Sequence, residues 1–312
     1  VVAEQVDTCW TQVREWVADF KPDLVIALGP DHYNGFFYRL MPSFCIGTTA
    51  TSVGDWGTPP GDLPVDREAA LACIQATQVA GVDVALSHRM EVDHGITQLM
   101  QELFEWRSMP PLLPVFINCA APPLPPLKRV TALGSALGTF ASEHGGRVLF
   151  AASGGISHDP PIPSLATAPD AVRERLIDGG PISLEARTAR QQRVLDDATN
   201  QVAGTSDRTP LNPDWDQRFL AQLRAFDFDA IEALDDDAIT RDGGCGGHEI
   251  RTWLAAAAAA RSSASSRSLS AAAAAAAAAA RCSASTRSLS AMARASAAMR
   301  CLLSSSSFKA DA

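Results

Sequence analysis

Three apolar runs with the residue types of buried strands each lead towards a loop that carries a histidine. This alternation constrains the fold more than any other feature of the chain. The first run, Asp23-Leu-Val-Ile-Ala-Leu-Gly29, ends at Pro30 and feeds Asp31-His32-Tyr33-Asn34-Gly35-Phe36-Phe37. Val82–Ser87 precedes Val92-Asp93-His94-Gly95, and Val148–Ala152 precedes Ser153-Gly154-Gly155-Ile156-Ser157-His158-Asp159. Leu113–Ile117 is a further strand candidate. Helical spacing intervenes over about 66–79, 96–107 and 127–143, and Val2, Val6, Trp10, Val13 and Val17 recur at helical intervals before the first strand. Strands alternating with helices predict an α/β fold: a central mixed sheet flanked by helices, in a single large domain. From about 168 to 254 the pattern is mostly helical, including Leu184–Val202 and Asp214–Phe226. Loops beyond strand ends are where α/β proteins collect functional side chains.

After Leu254 the sequence changes character. Arg261-Ser-Ser-Ala-Ser-Ser-Arg-Ser-Leu-Ser270 recurs as Arg281-Cys-Ser-Ala-Ser-Thr-Arg-Ser-Leu-Ser290, with poly-alanine before and between the copies. Residues 1–254 are therefore expected to form the folded domain, and 255–312 a low-complexity Ala/Ser/Arg tail that adds little to a core. The tail carries seven Arg or Lys against one Asp, so a formal net charge of −9 hides −15 on residues 1–254. An acidic body argues against nucleic acid as a partner, because neutralising phosphates needs a basic face. The longest alanine run, Ala271–Ala280, is too short to cross a bilayer, and neither a membrane partner nor a signal peptide is expected. Seven scattered cysteines without a CxxC pair suggest neither a disulfide framework nor a zinc knuckle, and fit a reducing, cytoplasmic setting. The chain opens directly in a helical pattern without an initiator Met, so its start is expected to fall inside a longer protein, after a first strand.

Histidine is scarce, six in 312 residues, and four of the six lie in short chemistry-bearing segments. His32, after a buried strand and a proline and beside Asn34 and Gly35, is well placed as a metal ligand; taken alone it reads more readily as a loop histidine bonded to backbone. Glu249 follows the Gly243-Gly-Cys-Gly-Gly247 turn and opens a helix, where a carboxylate also complements the helix dipole. Histidine plus carboxylate is two-thirds of the 2-His-1-carboxylate set that leaves positions open on non-haem Fe(II). His94, between Asp93 and Gly95, and His158, after Gly154-Gly155 and before Asp159-Pro160-Pro161, are candidates for an acid and a base, since imidazole titrates near neutrality. His248 is expected to be structural beside Glu249, His88 a bystander and His144 a surface residue. Ser153 and Ser157 lie in no G-x-S-x-G elbow, and no GxGxxG or P-loop phosphate cradle occurs.

These segments, with Pro114-Val-Phe-Ile-Asn118, Arg190-Gln-Gln-Arg-Val194, Pro210-Leu-Asn-Pro-Asp-Trp-Asp216 and His248-Glu-Ile-Arg-Thr-Trp253, resemble the class III extradiol catechol dioxygenases. The resemblance runs in order across about residues 1–254. It implies an iron(II) enzyme that opens a catechol ring next to its hydroxyls with O2, working as a homo-oligomer such as a tetramer. By the family pattern His32 and Glu249 match metal ligands, His158 the proton acceptor and His94 the proton donor. The family's other metal histidine belongs to a Ser-His-Ser-Pro-like segment that would precede residue 1, and no substitute occurs in residues 1–31. The tail also differs from the family's aromatic-rich C-terminus. Two other classes stay open at this point, a non-catalytic relative of the same fold and a zinc-dependent hydrolase using the same His and Glu. A carboxylated substrate would need a cationic partner, for which Arg39, Arg89 and Lys128 are candidates.

Overall fold

The computed structural model describes residues 2–266. The second repeat copy, Cys282 and Cys301 lie outside the described residues. Helix α1 (Val2–Phe20) leads into β1 (Leu24–Gly29), followed by β2 (Phe44–Gly47), β3 (Ala50–Ser52), β4 (Gly61–Asp62), α2 (Arg67–Val79), β5 (Ala85–Ser87) and β6 (Met90–Val92). Then come α3 (His94–Leu103), β7 (Leu112–Ile117), α4 (Leu127–His144) and β8 (Val148–Ala152). The remainder is helical: α5 (Asp170–Asp178), α6 (Leu184–Ala203), α7 (Pro213–Ala225), α8 (Phe228–Glu232), α9 (Asp236–Gly243) and, after a short 3-10 turn, α10 (Ile250–Ser266).

Five strands form one sheet in the order β5-β2-β7-β1-β8. β1 lies parallel to both β7 and β8, while β2 runs antiparallel to β7, so the sheet is mixed as expected. β3, β4 and β6 make a small second sheet. Every residue of β1 is buried, because its alternate side chains enter different layers. Leu24, Ile26 and Leu28 join α2, α4, α7 and α10 on one face, whereas Val25 and Ala27 join Val17 of α1 and Ile96 and Met100 of α3 on the other. Each large aliphatic side chain so enclosed stabilises the fold by roughly 1.5–3 kcal/mol relative to exposure. A run apolar at every position is what a strand covered on both faces requires.

Two expectations need correction. The run Val82–Ser87 yields only the three-residue β5, although Val82 and Val84 are buried beside it. The boundary at Leu254 falls inside α10, and Ala255, Ala258 and Ala259 are core residues at 0–1% exposure. The reason lies on α4. A Cβ added at Gly134 would stand 2.3 Å from the Ala255 carbonyl oxygen, and one at Gly138 would stand 2.3 Å from that of Ala259. The two helices meet backbone to backbone, an approach that larger residues on either side would prevent. Among the described residues no helix is long and apolar enough to cross a membrane.

Candidate active site

The end of β1 sets the first histidine. Asp31 closes the following turn, with its carboxylate accepting the backbone N–H groups of Asn34, Gly35 and Phe36 at 2.9–3.1 Å. Tyr33 takes a left-handed conformation at φ 56°, and its buried hydroxyl donates to the Ala120 carbonyl at 3.1 Å. His32 is thereby turned towards Asp93, whose Oδ2 accepts the His32 backbone N–H at 2.8 Å and lies 3.1 Å from Nδ1. The same oxygen accepts from Asn34 Nδ2, while Oδ1 accepts from Gly95 N and caps α3. One aspartate therefore starts a helix and orients an imidazole, leaving His32 Nε2 to face Glu249 Oε1 at 3.3 Å.

That cap explains why α3 begins at His94, two residues before the expected start. His94 meets a second carboxylate, Asp55, which accepts its backbone N–H at 2.8 Å and lies 2.6 Å from its Nδ1. The His32 and His94 rings stack at 4.3 Å, with Trp56 edge-on to His94 at 5.8 Å.

His158 arrives from the loop after β8. Its Nδ1 lies 3.2 Å from the Ile156 carbonyl, its backbone N–H donates to Gly243, and its Nε2 stands 3.5 Å from Glu249 Oε1. A Cβ on Gly155 would approach its ring to 2.4 Å, and one on Gly246 to 2.3 Å. The ring is gripped between two glycines, which is the reason for the glycine-rich character of both loops. Glu249 reaches in from the 3-10 turn before α10, and its Oε2 accepts the Gly155 N–H at 2.6 Å. All four residues expected from the sequence thus come together.

Asp31, Asp55, Asp93 and Glu249 are all buried, at 7%, 4%, 1% and 7% exposure, around three imidazoles. Clustered negative charge away from water demands positive charge beside it. Burial works against protonating His32, but Asp93 and Glu249 outweigh it and hold the imidazole well above its ordinary range. Burial is likewise outweighed at His158, which Glu249 raises. The reverse holds for Glu249 and Asp93, where burial is overcome by the neighbouring imidazoles and both carboxyls are lowered.

A divalent cation between His32 Nε2 and Glu249 Oε1 fits this donor set, an imidazole and a carboxylate with the other imidazole nitrogen already fixed. His32, Asp93 and His94 also place donor atoms within 4.8 Å of one another. Both Asp93 oxygens are, however, engaged by N–H groups, so Asp93 suits orienting a ligand better than being one.

The other polar residues divide cleanly. His248 is buried between Thr240 Oγ1 and Arg251 Nη1, each at 2.8 Å, and burial with the Arg251 charge lowers its pKa to about 4. That is the structural part expected of it. His88 contacts Thr48, and His144 is exposed. Ser157 is no nucleophile: its hydroxyl donates to Asp216 and accepts from Asn212 N, tying the His158 loop to α7. Sequence reasoning gave Asp55 no role, since it sits 39 residues from His94 with no local pattern to mark it. Asp93 and Asn34 stood inside the quoted segments, but only the fold shows what they hold.

Comparison with known proteins identifies the family. The family described as the catalytic LigB subunit of aromatic ring-opening dioxygenase matches residues 1–280. A 2,3-dihydroxyphenylpropionate/2,3-dihydroxicinnamic acid 1,2-dioxygenase of a Rhodococcus species is 49% identical over 258 residues, covering 83% of this chain and 82% of the relative. The enzyme of that name from Mycolicibacterium smegmatis is 49% identical over 82% of both chains. The one from Cupriavidus pinatubonensis is 49% identical over 82% of this chain and 81% of its own. The chain belongs to the LigB family of aromatic ring-opening dioxygenases.

Proposed function

We propose that this dioxygenase opens the ring of 2,3-dihydroxyphenylpropionate and 2,3-dihydroxycinnamate beside their hydroxyls, using O2 and iron(II), with His32 and Glu249 as metal ligands. The observation that carries this reading is convergence: Nε2 of His32 and Nε2 of His158 both face one oxygen, Oε1 of Glu249, at 3.3 and 3.5 Å. Iron(II), when bound, holds catechol and O2 in contact and lets electrons pass between them. The protein's own groups handle the protons. His158, with Nδ1 directed at the Ile156 carbonyl, takes a catechol proton on Nε2. His94, with Nδ1 held by Asp55, gives one from Nε2 to the oxygen being cleaved. Stacking of His94 on His32 keeps the donor beside the metal ligand.

The test is to load the protein anaerobically with iron(II), add 2,3-dihydroxyphenylpropionate and air, and follow yellow ring-opened product with oxygen uptake. Turnover that drops by roughly 10²–10⁴ in His94→Ala and His158→Ala supports the assignment. Absence of both colour and oxygen uptake from iron-loaded protein that also carries the Ser-His-Ser-Pro-like segment would overturn it. A reducing, cytoplasmic setting is part of this proposal, in keeping with five described cysteines that form no disulfide. The homo-oligomer implied by the resemblance, a tetramer, is checked by light scattering.

A further inference from the structure

Helix α6 has no buried residue, yet two of its arginines reach over the histidine loops. Arg190 Nη2 donates to the carbonyl of His32 itself, and Arg187 Nη1 donates to the carbonyl of Val53, two residues before Asp55. The Nε of Arg187 is buried and has no hydrogen-bond partner. Among the described residues neither guanidinium forms an ion pair, although the site is rich in carboxylates. Those carboxylates are already committed. Asp31 accepts backbone N–H groups, while Asp55, Asp93 and Glu249 face the histidines. A third arginine, Arg175 on α5, lies within reach of their field: burial and then repulsion from Arg190 and Arg187 lower its pKa. Three arginines thus lie close enough to repel one another, and among the described residues none of them forms an ion pair. A buried N–H without a protein acceptor is a donor that a ligand can use.

We propose that Arg187, with Arg190 beside it, binds the carboxylate on the substrate's side chain and so selects carboxylated catechols over plain ones. The inference rests on the ring-cleavage reading above and names the group that gives it specificity. With Nη1 bonded to Val53 and Nε lacking a protein acceptor, the Nε–Nη2 edge of the Arg187 guanidinium is the one a planar carboxylate would engage. The cations considered from the sequence fit less well. Arg89 and Lys128 are exposed, and exposed Arg39 already faces Asp178 at 3.9 Å.

The experiment has a binding arm and a kinetic arm. In calorimetry the unaltered protein should bind 3-phenylpropionate about 10–100-fold more tightly than the neutral 3-phenylpropanamide, the range of a charge-assisted hydrogen bond. Arg187→Ala should erase that preference and Arg187→Lys restore part of it. In turnover, Arg187→Ala should raise KM for 2,3-dihydroxyphenylpropionate by a similar factor with kcat unmoved, and leave KM for 3-propylcatechol unchanged. Equal binding of acid and amide by the unaltered protein overturns the proposal. So does an equal loss of turnover on both catechols in the variant, which would mean that Arg187 only holds the Val53 loop. Ring cleavage without carboxylate preference removes this inference and leaves the ring-cleavage reading standing. Arg187-dependent binding without ring cleavage does the opposite.

Discussion

His32 and His94 are held by the same device in two strengths. In each, one aspartate takes both the backbone N–H and the Nδ1 side of the histidine, so the ring cannot turn and only Nε2 faces the site. Asp93 is cross-braced: it also caps α3 and accepts from Asn34, and its side chain is fully enclosed. Asp55 sits in a loop, with its side chain 5% exposed, and among the described residues its carboxylate bonds are confined to His94. The heavier bracing stands behind the residue proposed to hold metal, the lighter behind the one proposed to deliver a proton. A ligand must keep its place against a cation's pull, while a proton donor needs orientation and some freedom at its tip.

Asp93→Ala should do the most damage, because it breaks the cap and leaves His32 without its partner. Metal affinity, read by chelator competition, should fall about 10–100-fold. Stability, read by urea unfolding, should drop by about 3–5 kcal/mol, as when one partner of a buried pair is removed. Asp55→Ala should separate the two clamps: metal affinity holds, while kcat falls by roughly 10–100-fold. Loss of metal in that variant would mean the clamps are not specialised.

His158 sharpens the contrast, since glycines rather than a carboxylate grip its ring. Gly246→Ala places a methyl 2.3 Å from that ring, so kcat should fall while metal affinity stays, and the cost of overpacking should be about 1–3 kcal/mol. The smallest effect belongs to Asp159, which pins the His158 loop by accepting the Cys245 and Thr209 N–H groups at 3.0 Å each. Burial raises its carboxyl, but those bonds and Arg208 outweigh it, and the net shift is downward. The folded protein thus binds fewer protons there than the unfolded chain does. Its contribution is complete above about pH 4 and disappears as pH falls through the lowered value. Asp159→Asn should flatten that acid-side slope in urea midpoints measured from about pH 5 down to about pH 2.

What could be read from the sequence follows physical lines. β1 and β7 announced themselves because a strand covered on both faces must be apolar throughout, and β8, at the sheet edge with alternate residues buried, was marked by its apolar run between glycines. β3, with only Ala50, Thr51 and Ser52, has too few residues to show a period. His32, His94, His158 and Glu249 were legible from their places at strand ends and a helix start. Asp55 was not, because its partner is remote in sequence. Arg187 lay hidden in a polar helix that reads as a solvated face, and Arg190 stood in a quoted segment with no role attached to it. The alanines after Leu254 were misjudged for a related reason: small residues look too poor for a core until the partner helix turns out to need them small.

That helix contact has a consequence for how Glu249, the proposed metal ligand, is located. Glu249 stands at the head of α10, and α10 is seated on α4 through backbone touching backbone at Gly134 and Gly138. No compressible side chain lies between them to absorb an error. Helices advance about 1.5 Å per residue, so a slip of a single position would carry Glu249 out of reach of both imidazoles. The seam works as a ruler, and residues without any functional group set the distance at which the functional ones meet.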